Sequence, residues 1–469
     1  MAHGTNSLGI NYFDGMKKIG KTHIHFLWIA AVCYFFDQMD MQMFGFITPS
    51  LMSDLGFTLE QISQMNSMNF LGMCLGGFFG GWIATHIGRK NALLLCVGLF
   101  SIGSVINGIS ANYWVFMIMR LIIGFGVIGM VTVAMVYMAE MLPAANRGKY
   151  QALSIAAGTI GIPIGALLAN IAISGLGEHG WRLCFFIGGS GIVLVPIGMK
   201  WLRESPRWLV SRGRVKEAEA IVSECTGEPS DLSEIANIHN QDKPATTKET
   251  LISMTRKGML KQTIVVTILS WGATLGVFYM GTYGVKFNID IGWTYSMALM
   301  MSAVGVFGTP LGDVLVSFFS DKGGRRIPII IFAFAAGITC ILGGYLMPTW
   351  AQIQVQTGAN WPFAASCALG ILRGLFCGGM MTLMWTYLAE SFPTRIRSNA
   401  TGLIFGSARL IAVPVTLTVP ATYAAFGYFG VNFVNGLWYF IPAIFALLWG
   451  RSSAQKSLEQ LEVESKLSM

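Results

Sequence analysis

Gly81-Trp-Ile-Ala-Thr-His-Ile-Gly-Arg-Lys90 and Ser317-Phe-Phe-Ser-Asp-Lys-Gly-Gly-Arg-Arg326 occupy matching places in the two halves of this 469-residue chain, each between two long apolar segments. A second pair repeats the pattern: Glu140-Met-Leu-Pro-Ala-Ala-Asn-Arg-Gly148 recurs as Glu390-Ser-Phe-Pro-Thr-Arg-Ile-Arg397. The recurrence reads as a duplicated unit. Hydrophobic residues make up 54% of the chain and charged residues 12%, against about 25% charged in ordinary soluble domains. Runs of about 20 apolar residues suffice to cross a hydrocarbon core of roughly 30 Å. They fall near 26–51, 62–85, 91–110, 113–139, 150–174 and 182–203, then 263–288, 293–320, 327–347, 361–389, 398–424 and 427–450. In lipid only helices and closed barrels satisfy the backbone, and these runs are too long and too uniformly apolar for barrel strands. The predicted fold is all-α and membrane-embedded, with about twelve transmembrane helices in two pseudo-symmetric six-helix halves.

The chain then divides into an N-terminal segment (1–25), a first bundle (26–203), a polar linker (204–262), a second bundle (263–450) and a tail (451–469). A formal net charge of +8 raises the question of an acidic partner. Placement answers it: Lys17, Lys18, Lys21, Arg89, Lys90, Arg147, Lys149, Lys322, Arg325, Arg326, Arg395, Arg397, Arg451 and Lys456 all lie before the first span, after the last, or after even-numbered spans. The loops after spans 1, 3, 9 and 11 hold no Lys or Arg. That asymmetry predicts cytoplasmic termini and makes the excess charge a topology signal, not a nucleic-acid footprint. The eight cysteines are scattered without paired ligand spacing and read as packing residues. No histidine lies in a span and no nucleophile–base pattern is present, which argues against an enzyme. Glycines at four-residue spacing, Gly76 with Gly80, Gly77 with Gly81 and Gly161 with Gly165, allow close helix contact.

With these residues in view, the chain resembles the major facilitator superfamily over essentially its whole length. The first loop pair is similar to that family's signature between helices 2 and 3 and again between 8 and 9. Arg120, Gly124 and Gly126 resemble its helix 4 motif, with Arg373 and Gly379 as counterparts in helix 10. Arg203-Glu-Ser-Pro-Arg-Trp-Leu209 resembles the sequence after helix 6 in sugar porters, while Asp37-Gln-Met-Asp40 and Arg409 resemble features of the aromatic acid:proton symporters. The glutamines of sugar porters are absent from helices 5 and 7, although Trp385 matches one of their positions. Thr85 replaces the acid expected in the first loop signature, and Asp321 keeps it in the second. The resemblance implies a proton-coupled secondary transporter working by alternating access, with a proton gradient as energy source and no cofactor or metal.

Asp37 and Asp40 share one helical face near mid-span. An acid at bilayer depth is costly unless paired, protonated or wet, and so is a functional candidate; two nearby acids also discourage double ionisation. Proton coupling and a structural pair are both open readings. Arg120 either tunes the proton affinity of these acids or pairs with them structurally. Arg409, at similar depth in the other half, has the planar fork that suits a carboxylate; it reads as an anchor for an anionic substrate or as an ion-pair partner of Asp37 or Asp40. Trp271, Tyr279, Tyr283 and Trp385 are candidates for shaping a flat pocket, and Arg373 reads as structural. Asp313 belongs to a gate or loop network. Gly81, Gly88, Arg89, Lys90, Glu140, Arg147, Asp321, Arg325, Arg326, Glu390 and Arg397 read as cytoplasmic charge networks that hold the outward-open state and break on switching.

The expected function is symport of a small organic anion, an aromatic or other monocarboxylate. A sugar or polyol symporter, an efflux carrier and an organic cation carrier are the alternatives. The expected partners are the small-molecule substrate, protons and the lipid bilayer, with no nucleic acid. The expected setting is a bacterial inner membrane, with the chain acting as a monomer.

Overall fold

The computed structural model describes residues 20–142, 150, 153–154, 157–227, 232, 247–323, 325–392 and 394–450. Among them no strand occurs, and twelve long helices follow in chain order. In the first half these are α1 Lys21–Leu55, α2 Leu59–Ile87, α3 Arg89–Ile109, α4 Tyr113–Met141, α5 Gly161–Leu176 and α6 Gly180–Trp201. In the second they are α7 Lys257–Gly281, α8 Tyr295–Val306 continued past Phe307 as Gly308–Gly323, α9 Arg326–Thr357, α10 Trp361–Glu390, α11 Thr394–Leu417 and α12 Val419–Trp449. Eleven are long and apolar enough to cross a membrane. The twelfth is α1, whose 35 residues include Asp37, Gln38, Asp40 and Gln42 in the middle of an otherwise apolar run. The expected all-α architecture of two six-helix sets is what the chain forms.

Local chemistry marks many of the ends. Gly56 closes α1 in the left-handed conformation (φ 66°), and Thr58 with Gln61 forms a capping box that starts α2. Asn112 caps α4, and its side chain accepts from the Trp114 and Val115 amides. Three boundaries stand well away from those read in the sequence, besides the break at Phe307. The seventh helix ends at Gly281, and a separate helix Gly284–Asp290 follows Tyr283. The ninth runs through Pro348 to Thr357, because one proline removes one backbone bond and a neighbour-supported membrane helix tolerates that. The eleventh ends at Leu417, while α12 starts at Val419 and bends at Gly427 (φ 62°). The apolar run passes through all these breaks, so hydropathy alone cannot see them.

Close backbone contact builds each half on the same plan. A Cβ at Gly72 would lie 2.0 Å from the Leu121 carbonyl oxygen, and one at Gly124 would lie 2.1 Å from that of Asn69, which fastens α2 to α4. The second half repeats this between α8 and α10, where a Cβ at Gly308 or Gly312 would lie 2.0 Å from the carbonyl oxygen of Ile371 or Leu375. Gly76 and Gly80 join the α2–α4 contact and Gly161 and Gly165 pack on α1, whereas Gly77 and Gly81 make no comparably close approach.

Each half has its own apolar core, and the linker is drawn into them. Helices Pro206–Ser211 and Val215–Thr226 bury Leu209, Ala218, Val222 and Cys225 against the first half, and Thr247–Thr255 buries Met254 against the second. A further cluster joins the halves, with Met39, Phe46 and Ile62 meeting Tyr279, Tyr283, Leu299 and Val431.

Among the described residues, the hydrogen bonds that cross between the halves lie toward the face away from the linker. Ser63 Oγ donates to the Thr416 carbonyl at 2.7 Å, Ser67 Oγ to that of Val413 at 3.0 Å, and the Tyr295 hydroxyl to that of Phe46. Thr416 sits in the last turn of α11, where carbonyls find no donor inside the helix. The α2 hydroxyls supply one. A Cβ at Gly45 would stand 2.5 Å from the Gly281 carbonyl oxygen, so the halves meet there backbone to backbone. This face is closed. Tyr295→Phe and Ser67→Ala each remove a hydrogen bond worth about 1 kcal/mol, so each is expected to shift the balance toward opening of this face by about fivefold. The labelling rate of a cysteine introduced at Thr282, buried at this junction, reads that shift.

Candidate functional site

The acids of α1 fall into two environments. Asp40 pairs with Arg120 of α4, Nη1 to Oδ2 at 3.7 Å, with both side chains buried. This is a pair without a hydrogen bond, since Arg120 Nη1 and Nε and Asp40 Oδ2 have no hydrogen-bond partner. The guanidinium instead lies over the Phe44 ring, 3.7 Å from its centre, with Phe185 of α6 at 5.8 Å. Phe44 follows Asp40 by one turn and therefore shares its face. Asp37 has no such partner. Its Oδ2 accepts from Gln38 Nε2 at 2.8 Å, while its buried Oδ1 has no hydrogen-bond partner.

Arg409 of α11 is the counter-charge in the second half. Asp37 and Arg409 lie within each other's electrostatic reach, yet no Arg409 nitrogen comes within the 4.0 Å of an ion pair with Asp37. The Arg409 guanidinium stands over the Phe278 ring of α7 at 4.7 Å, and its buried Nη1 has no hydrogen-bond partner. Phe278 also meets Phe70 of α2 edge-on, ring centres 5.5 Å apart, so this ring touches both the cation and the opposite half. Trp271 lies two turns before Phe278 on the same face of α7, and its Nε1 donates to Ser407 Oγ at 2.9 Å. Sequence reading placed Asp37, Asp40, Arg120 and Arg409. It missed Gln38, Phe44, Phe70 and Phe278, because uncharged residues in an apolar helix carry no signal until a charged neighbour is located. The four-residue step from Asp40 to Phe44 was the nearest clue.

The remaining aromatic candidates disperse. Tyr279 is buried in the cluster that joins the halves, and its hydroxyl donates to Thr422 Oγ1 at 3.3 Å. Tyr283 lies past the end of α7 in the same cluster and stacks on Phe287 at 5.8 Å. Trp385 stacks on Phe405 at 3.8 Å and is largely exposed. Arg373 donates to the Asn435 side-chain oxygen at 2.7 Å, once that amide is oriented to satisfy both of its ends.

The loop residues form a network on the linker side. Arg89 grips Glu140 with two hydrogen bonds, Nε to Oε2 at 2.9 Å and Nη2 to Oε1 at 2.8 Å, and Ser205 Oγ donates to Glu140 Oε2 at 2.6 Å. Glu204, which sequence reading did not single out, caps α3: its Oε1 accepts from the amides of Arg89, Lys90 and Ser205 at 2.8, 3.2 and 2.9 Å. Burial holds its carboxyl above the usual carboxylate range, opposed by these hydrogen bonds. Its position immediately before the Ser205-Pro206 helix start was the available signal. Gly88 makes the cap possible, since φ there is 95° and a Cβ would lie 2.2 Å from Glu204 Oε2. Gly88→Ala is therefore expected to displace Glu204 and lower stability by about 1–3 kcal/mol, readable as a lower thermal midpoint of the purified protein.

The two halves use matching residues to tie matching helix ends. Lys90 Nζ donates to the Met199 carbonyl at 2.8 Å, near the end of α6. Arg326, its counterpart, donates through Nε to the Ala446 carbonyl at 3.1 Å and through Nη2 to that of Leu447, near the end of α12. At Thr85 the hydroxyl donates to the Trp82 carbonyl at 2.6 Å, while its own carbonyl accepts from Trp208 Nε1 and Arg212 Nη2, each at 2.8 Å. Backbone thus does the tethering where the family pattern has an acid. Asp313 accepts from Thr382 of α10, Arg325 stands at the start of α9, and Gly81 has open space around its Cα. Arg147 lies outside the described residues, as do the side chains of Asp321, Glu390 and Arg397. Among the described residues, Arg89, Lys90, Glu140 and Glu204 contact only the first half and the start of the linker, so this part of the network stiffens one bundle.

A family model described as "Sugar (and other) transporter" matches residues 27–464. The chain belongs to that family. Among its relatives is the putative metabolite transport protein YyaJ of Bacillus subtilis, 29% identical over 424 residues and covering 90% of both chains. The niacin transporter NiaP of Acinetobacter baylyi is 24% identical, covering 85% of this chain and 88% of its own. A crystal structure of a D-xylose-proton symporter superposes with a TM-score of 0.72 at 20% identity, over 93% of this chain and all of that one. Fold and relatives together make this sugar-transporter-family member an integral membrane transporter of the major facilitator type, not an enzyme. Its charged centre joins α1, α4, α7 and α11, from both halves.

Proposed function

We propose that this transporter is a proton-coupled symporter that imports a small organic anion, an aromatic or other monocarboxylate, by alternating access at the junction of its halves. One observation carries the reading: Arg409, a permanent cation in the membrane interior, has a buried Nη1 without a hydrogen-bond partner and no ion pair with Asp37. A buried, under-satisfied guanidinium favours an anionic ligand. The niacin named for one relative is a carboxylic acid, which accords with this. Asp37 and Asp40 supply protonatable groups beside the same junction, so the energy source is the proton gradient and no cofactor is needed. The loop charge asymmetry supports a bacterial inner-membrane protein with cytoplasmic termini. The face closed by Ser63, Ser67 and Tyr295 would then be the outer one.

A sugar or polyol substrate is the second reading, favoured by the family match and by the D-xylose-proton symporter of similar fold. Proton movement evoked by substrate in proteoliposomes separates the two. A panel of aromatic and aliphatic carboxylates, sugars and organic cations is applied to the native protein and to Asp40→Asn and Arg409→Ala. Proton entry with carboxylates alone, lost in both variants, is the expected result. A response to sugars, or uptake without proton flux, overturns the substrate or the coupling.

A further inference from the structure

A crevice on the face away from the linker lies apart from the charged centre. It opens where α2 and α4 begin and α11 ends, and it has a volume of 480 Å³. Small-ligand pockets span about 300–1,000 Å³. Both halves supply its walls, Gln61 and Gln64 from the first and Val413 and Leu417 from the second. Ser67, buried among them, bonds to the Val413 carbonyl at 3.0 Å and lies 2.8 Å from Thr416 Oγ1. The crevice therefore sits directly on the hydrogen bonds that close this face.

Its polar and apolar groups are ordered by depth. Gln61 and Gln64 share a face of α2, and each uses its side-chain oxygen within the first half. Gln61 Oε1 accepts from the Thr58 amide at 2.9 Å, and Gln64 Oε1 accepts from the Tyr113 hydroxyl. Their NH2 groups remain as donors at the crevice. Trp114, in the first turn of α4, is exposed beside them, and an exposed tryptophan at the end of a membrane helix marks the headgroup level. Met68 and Met117 line the crevice one turn deeper, four residues past Gln64 and Tyr113. Donors at headgroup level above apolar surface suit an amphiphile whose head carries acceptors. No lining side chain is charged, but Glu60, exposed, precedes Gln64 by one turn on the same side of α2. Its carboxylate favours a head with its own cation over a net anion.

We infer that a zwitterionic phospholipid of the leaflet opposite the linker seats in this crevice. Its phosphate and ester oxygens accept from Gln61 and Gln64 Nε2, its ammonium lies toward Glu60, and its upper acyl chain runs along Met68, Met117 and Leu417. Rocking the halves apart separates α2 from α11 and dismantles the crevice. The lipid binds one state of the transporter better than the other and so holds this face closed, whichever substrate is carried.

Labelling of the cysteine introduced at Thr282 tests this, with the protein in vesicles of phosphatidylethanolamine or of phosphatidylglycerol and the labelling of the protein without that cysteine subtracted. Phosphatidylethanolamine is expected to slow labelling about fivefold relative to phosphatidylglycerol, the effect of roughly one hydrogen bond lost on opening. Gln64→Glu keeps the acceptor for Tyr113 but replaces the donors with a negative charge, and should abolish the difference between the lipids. Met68→Trp fills the crevice from its apolar end and should abolish it too, which keeps the test open if one variant does not fold. Equal labelling of the native protein in both lipids overturns the zwitterion site. A lipid difference that persists in either folded variant places the lipid elsewhere and also overturns it.

Discussion

Arg409→Ala is expected to abolish carboxylate accumulation and weaken carboxylate binding by roughly 30- to 3,000-fold, the equivalent of about 2–5 kcal/mol for truncating one partner of a buried charged hydrogen bond. Arg409 is the one charged group that the second half brings within electrostatic reach of the acids of α1 among the described residues, and its guanidinium sits over the Phe278 ring. Arg409→Lys keeps the charge and loses the planar fork, so it should fall between native protein and Arg409→Ala in affinity. Equilibrium binding of nicotinate checks both, with thermal unfolding as a control for folding. Full affinity in Arg409→Lys would rule out recognition through the fork.

Asp40→Ala is expected to destabilise the first half by about 3–5 kcal/mol, because it strands the Arg120 guanidinium in a membrane interior. Arg120 is almost wholly buried and its Nε and Nη1 already lack hydrogen bonds. The Asp40 charge and the Phe44 face are what compensate it. The double variant Asp40→Asn with Arg120→Gln removes both charges and should recover most of the lost stability, since uncharged polar groups cost less to bury than one unpaired ion. Thermal unfolding of the native protein, Asp40→Asn, Arg120→Gln and the double variant forms a cycle whose coupling term isolates the pair. If the double variant is as unstable as the sum of the singles, Asp40 and Arg120 act independently and the pairing has no energetic weight.

The surrounding fold shows how far each kind of signal reaches. The spans were legible because crossing a bilayer demands a long apolar run, and that demand is met residue by residue along the chain. Asp37, Asp40, Arg120 and Arg409 were legible for the converse reason: a charge inside such a run is too costly to be there by chance. The breaks at Tyr283, Phe307 and Thr418 were not read, because the apolar run continues through them; Pro420, in the first turn of α12, was the local mark of the last. Glu204 was read only as part of the Arg203–Leu209 motif and given no role, because a carboxylate at the edge of a polar linker does not show which amides it meets. Only the fold brings the amides of Arg89 and Lys90 to it.

The chain's sequence by itself determined the class of molecule: a duplicated helical membrane bundle with Asp37, Asp40, Arg120, Arg373 and Arg409 held against their solvation preference. Tertiary structure decided how those charges divide. Asp40 could have paired with either arginine on spacing alone, since helical periodicity states which face a residue occupies and not which neighbour that face meets. Packing of α2 against α4 through Gly72 and Gly124 sets where α4 stands, and Arg120 meets Asp40 within one half. The junction of the halves leaves Asp37 and Arg409 outside contact distance, each with an unsatisfied polar atom. Contacts between segments hundreds of residues apart depend on the relative placement of rigid bundles. That placement is a property of the whole interface, and no local stretch of sequence encodes it.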